Sequence, residues 1–191
     1  MMSTSVDWEW KLREAVDRLR TRYEHIGRKT GAPFLAIVYP PEAERSVLRE
    51  WHTLAATLDP EFSVRTVDAL NVTSSVVGQF GVETLVASMI NPMPGSNATS
   101  ELGSMWTSAV AASVRDAVAK PGKGRPIVVI ERLAALYPAS GPRAVMQTLW
   151  DSDHAGLEGP IVLLLPGVLV EARVYRFVGQ VEEFMYRGDI L

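Results

Sequence analysis

The sequence predicts a single α/β domain over residues 1–191, built in three layers with a mostly parallel sheet and helices on both faces. Three observations carry this. Short, continuously apolar runs recur at PFLAIVYPP, IVVIE and PIVLLLPG, as strands covered on both faces require. Stretches with helical apolar spacing separate them, and such alternation favours parallel pairing. No internal repeat or linker divides the chain, and its length suits one hydrophobic core.

The elements follow in order. In VDWEWKLREAVDRLRTRYEHIG, Leu12, Val16, Leu19, Tyr23 and Ile26 recur at spacings of four, three, four and three, which predicts an amphipathic helix within residues 1–30 that stops at Gly27. Its seam is too short to define a coiled coil, so it is expected to pack on its own sheet. PFLAIVYPP is the first strand. Val47, Leu48, Trp51, Leu54, Ala55 and Leu58 give a helix that ends before Asp59-Pro60, and FSVRTVDAL reads as the second strand. Helices are expected over about 72–90 and 104–119. NPMPGSNATS, rich in turn formers, makes 92–103 a mobile loop. IVVIE is the third strand, and Val145, Met146, Leu149 and Trp150 form one stripe of a short helix. PIVLLLPG closes the strand set, with an edge strand or two in VYRFVGQVEEFMYRGDIL.

Composition narrows the function. Hydrophobic residues make up 47% and charged residues 21%, with no apolar run or leader for a membrane, which reads as a soluble cytoplasmic protein. There is no cysteine, hence no disulfide, thiol nucleophile or thiolate metal site. A net charge of −3 provides no overall field for nucleic acid.

In such a fold, ligands sit at the carboxyl ends of strands, here after Val38, Leu70, Glu131 and Leu165. A nucleotide-hydrolysing domain needs a glycine-rich turn with a lysine after its first strand. This chain has YPPEAERS there, with two prolines that lack amide donors and with acidic Glu42 and Glu44. KPGKGRP stands before a strand instead. The expectation is a P-loop-NTPase-like topology without a phosphate-binding loop, and no cofactor, metal or catalytic residue is assigned. Glu131 reads first as a structural carboxylate bonded to backbone amides or to Arg132 or Arg143, and Asp68 reads likewise. The enzymatic alternative has Asp68 and Glu131 converging on a magnesium ion in a divergent nucleotide- or metal-phosphate enzyme.

His25, His52 and His154 lack metal-like spacing and read as surface residues, while the five tryptophans read mainly as core. A nucleic-acid-binding module would need the N-terminal arginines to join Arg143, Arg173, Arg176 and Arg187 in one basic face.

GRKTGAPFLAIVYPP, then IVVIERLAALYPASGPRAVMQTLW, then PIVLLLPG and the terminal FMYRGDIL occur in this order over nearly the whole chain. In that order they resemble the BrxB-like family of bacterial BREX phage-exclusion systems. The chain departs from the family pattern at Glu131 and Arg132, and in an arginine delayed to Arg143. The resemblance implies a non-enzymatic adaptor in an anti-phage defence complex. It would contact larger alkaline-phosphatase-like or ATPase subunits, meeting nucleic acid only indirectly, and it leaves room for a homo-oligomer. An adaptor should cluster exposed aromatic and apolar residues, and Tyr137, Arg143, Tyr186 and Arg187 are the candidates, since tyrosine and arginine often anchor interfaces.

Overall fold

The computed structural model describes residues 7–153 and 156–191, and within them the three expected layers are present. The sheet contains β1 (Phe34–Tyr39), β2 (Phe62–Asp68), β3 (Arg125–Glu131), β4 (Ile161–Glu171), β5 (Val174–Phe177), β6 (Val181–Phe184) and β7 (Asp189–Ile190). Its order is β2-β3-β4-β1-β7, parallel throughout, with β5 and β6 as an antiparallel extension of the far half of β4. Helices α1 (Asp7–Thr21) and α2 (Glu44–Ala55) cover one face. On the other lie α3 (Ala69–Phe80), α5 (Ala98–Ala119) and α6 (Pro142–Asp153), while α4 (Val82–Ile90) contacts α3 and α5.

Strand periodicity explains the layering. Successive side chains of a strand point to opposite faces, so a doubly covered strand must be apolar at every position. In β1, Phe34, Ala36 and Val38 enter the core beneath α5 and α6, whereas Leu35, Ile37 and Tyr39 enter the core beneath α1 and α2. β4 repeats this division, with Ile161, Leu163 and Leu165 on one side and Val162 and Leu164 on the other. The amphipathic stripe of α1 is buried on its own sheet through Trp8, Leu12, Ala15, Val16 and Leu19.

The helix expected over about 72–90 is two, α3 and α4, divided at Gly81 with φ 83°, and the C-terminal segment holds three strands rather than one or two; four further boundaries also differ from the sequence expectation. α1 ends at Thr21, six residues before Gly27. Tyr23 instead starts a short 3-10 turn and donates its hydroxyl to the carbonyl of Pro126, while Arg125 stacks on its ring. α3 starts at Ala69, because Asp68 caps it by accepting from the amides of Leu70 and Asn71. The predicted loop 92–103 is helical from Ala98 onward: Asn97 accepts from the amide of Ser100, and Glu101 accepts from that of Asn97, a reciprocal cap. β4 does not stop at Pro166-Gly167 but continues to Glu171, since Gly167 lacks the Cβ that would meet the carbonyl of Arg176 on β5. His154 lies outside the described residues.

Leu164 is fully buried in the central strand. Leu164→Ala should therefore cost about 2–5 kcal/mol of unfolding free energy, measured by urea denaturation, with the transition remaining two-state.

Candidate functional site

The strand carboxyl ends are held together by internal bonds. Asp68 and Glu131 are register partners on adjacent strands, so the two carboxylates do converge. Each has a cationic or ring-nitrogen partner. Arg132, in the left-handed region at φ 55°, ends β3 and forms an ion pair with Asp68. Glu131 bonds to His52 Nε2 of α2 at 2.9 Å, rather than to backbone amides, Arg132 or Arg143. His52 is thus a partner of Glu131 and not only a surface residue. Among the described residues, no group of three or more histidine, aspartate or glutamate side chains is placed to hold a metal ion.

The turn after β1 is a short 3-10 segment, Pro41–Ala43. The buried Tyr39 donates its hydroxyl across it to Glu44. Lys11 of α1, itself buried, caps the end of β1 by donating to the carbonyl of Val38 at 3.1 Å, and it pairs with Asp7. The place that a phosphate would occupy in a nucleotide-binding relative of this architecture is therefore lined by prolines, carboxylates and a lysine already engaged.

Arg143, Tyr186 and Arg187 come together in a cleft along α6. Spacing explains α6's share: Arg143, Met146, Gln147 and Trp150 lie three, one and three residues apart, on one helical face. Phe184, Tyr186 and Arg187 close the other side, with Phe34 also lining the cleft. The guanidinium of Arg143 stacks on Tyr186 at 4.8 Å and that of Arg187 on Trp150 at 4.4 Å, while Phe184 meets Tyr186 edge to face at 4.7 Å. Neither guanidinium has a carboxylate partner among the described residues.

Glu183 supports this arrangement from beneath. Its Oε2 accepts from the Tyr175 hydroxyl and from the backbone amide of Arg143, so one carboxylate joins β6 to the first turn of α6, where helix polarity favours negative charge. Burial first, and the Glu183 carboxylate second, push the Tyr175 phenol well above its ordinary range. Burial and Glu44 do the same to Tyr39.

Tyr137 is exposed but does not line this cleft; its loop continues to Ala139, which packs closely on Gly103 of α5. Trp150 and Phe184 belong to the cleft, although the sequence places Trp150 in a core stripe and gives no sign of Phe184. Trp150 ends an apolar stripe that reads as core, and only the return of β6 exposes its second role. The arginines required for one basic face are divided. Arg20 donates to Thr57, Arg173 to the carbonyls of Met185 and Gly188, and Arg176 pairs with Glu182.

No family model, curated protein or solved structure matches the chain. No described helix is long and apolar enough to cross a membrane.

The Tyr23 phenol is raised too, chiefly by burial, and the three raised phenols together set an alkaline limit. A group kept protonated in the folded state contributes stability that is intact below its unfolded pKa, about 10 for tyrosine, and is lost as pH rises above it. Unfolding free energy should therefore fall above about pH 10, and Tyr175→Phe should make that fall shallower in urea titrations across the range.

Proposed function

We propose that the chain is a non-enzymatic assembly subunit of a BREX-type anti-phage defence complex, acting through protein–protein contacts. The observation that carries the adaptor role is the cleft, where Arg143, Tyr186 and Arg187 meet Trp150 and Phe184. Tryptophan, tyrosine and arginine are the residues enriched at energetic centres of interfaces, and stacked guanidinium groups have lost little freedom still to be surrendered on binding. Two guanidinium groups without acidic partners favour an occupant that presents carboxylates beside an apolar residue, as an acidic segment of a larger subunit would. The placement in a defence complex rests on the order of motifs that resembles the BrxB-like family.

The internal engagement of Asp68 and Glu131 supports the same reading over an enzymatic one, because a metal ion would first have to displace Arg132 and His52. The test is quantitative capture of large defence-complex subunits by the tagged chain from its native host. Wild type should retain them, and the double variant Arg143→Ala, Arg187→Ala should retain at least about tenfold less at unchanged thermal stability, the loss expected when a hot spot is truncated. Equal retention by the double variant would remove the cleft from the interface. Saturable heat on titration with ATP and magnesium that disappears in Glu131→Ala would instead establish the enzymatic alternative.

A further inference from the structure

The most unusual surface of the molecule lies away from the cleft. None of the nine residues of α4 is buried, although the segment VETLVASMI is mostly apolar. Val82, Val86, Met89 and Ile90 are spaced four, three and one residues apart and are all exposed, Ile90 to 70%. Phe80 at the end of α3 and Met93 beyond α4 extend the patch, with Met93 at 76% exposure. Single exposed apolar residues are ordinary, but six within the segment Phe80–Met93, four of them on α4, are an unusual concentration of exposed apolar surface.

Charge narrows the choice of occupant. From Thr66 to Val114 the chain contains no lysine or arginine. Of the three acids in that stretch, Asp68 is paired with Arg132 and Glu101 is bonded back to its own helix cap, which leaves Glu83 as the only charge of α4. A helix lying on an anionic membrane carries lysine or arginine on its polar face, and a phosphate backbone requires cations. α4 meets neither demand. A two-fold contact brings each surface against its own copy, so a charged patch repels itself whereas an uncharged apolar one does not. The cleft, with two arginines that lack carboxylate partners, fails that condition, and α4 meets it along Val82, Val86, Met89 and Ile90, with Glu83 as its single charge.

We propose that the outward face of α4 is closed by the same face of a second copy of this chain, the two helices antiparallel about a two-fold axis near Val86. Val86 is the middle residue of α4, so the axis places Val82 opposite Ile90 of the second copy and Val86 opposite itself. Methionines 89 and 93 adapt to the remaining gaps. This dimer stands independently of the defence-complex reading, which concerns the cleft.

The test is sedimentation equilibrium of the purified full chain. Wild type should show twice the chain mass, and Val86→Glu with Ile90→Glu should show the single mass with an unchanged circular dichroism spectrum, since both positions are solvent-exposed in the isolated chain. Because the chain has no cysteine, Val86→Cys supplies a unique thiol that should link two copies under mild oxidation. Arg143→Ala with Arg187→Ala should leave the mass doubled. A single mass for wild type across the concentration range overturns the proposal, as does a doubled mass that survives both glutamates or fails to cross-link through Val86→Cys. Neither of these results alters what the capture experiment reports about the cleft.

Discussion

Everything in this molecule depends on the burial of β1 and β4 side by side between two helical layers. Six consecutive residues of β1 pair with six of β4, and the β1 residues are buried at every position. Such a pair has no solvent face, so its backbone amides and carbonyls must be satisfied by neighbouring strands, and its side chains must serve two cores at once. β3 completes the pairing on the side of β4, and β7 does so on the side of β1, where the amide of Val38 reaches the carbonyl of Leu191. The C-terminal residues are therefore structural, because they cover the edge of the most buried strand.

The same constraint determines which surfaces remain available. A central strand must still satisfy polar groups where it leaves the sheet, and here the solutions come from within the chain. Lys11 takes the Val38 carbonyl, His52 takes Glu131 and Arg132 takes Asp68. These bonds occupy the carboxyl ends of the strands, where ligands are bound in most α/β folds of this kind. Arginine and aromatic side chains that meet no carboxylate but stack on one another lie on the flank of α6, where Glu183 fixes the start of that helix against the β5–β6 hairpin. The polar groups of the strand ends are thus engaged within the chain, around a pocket of about 290 Å³ lined by Lys11, Tyr39, Glu42 and Gly167, while the aromatic-arginine groove lies elsewhere.

How far this was legible in the sequence depended on the range of the interaction. β1, β3 and the first half of β4 announce themselves, because burial on both faces leaves continuous apolar runs that no amphipathic helix shows. The second half of β4 was not legible, since proline-glycine reads as a stop unless the approach of β5 to Gly167 is known. Local capping at Asn97 and Glu101 could have been read from the sequence and would have placed the start of α5. The bond between His52 and Glu131 spans 79 residues and left no local trace. Arg143, Tyr186 and Arg187 were chosen for their chemistry, and the fold brought them together, while Tyr137, chosen on the same grounds, was carried to another surface. The exposure of α4 escaped periodicity altogether, because a helix against solvent and a helix against a core share one spacing. Its signal lay in charge: an absence of lysine and arginine over 66–114 that a single solvated helix would not need.

The two surfaces are opposite in character, and that opposition has a physical consequence. The cleft is cationic and aromatic and uses α6 and the segment from β6 to β7. The α4 face is apolar, with Glu83 as its single charge, and uses residues from Phe80 to Met93. They share no residue, so occupying one does not consume the other. A copy-to-copy contact through α4 would present two clefts on one particle, and a partner with two acidic segments within reach would bind the second at an effective concentration set by its tether rather than by its abundance. Affinity for a large complex would then not require an extensive cleft, which suits a groove enclosing only about 30 Å³, room for roughly one water molecule before a side chain enters. An adaptor of the proposed kind would hold large subunits in this way, with modest contacts made twice.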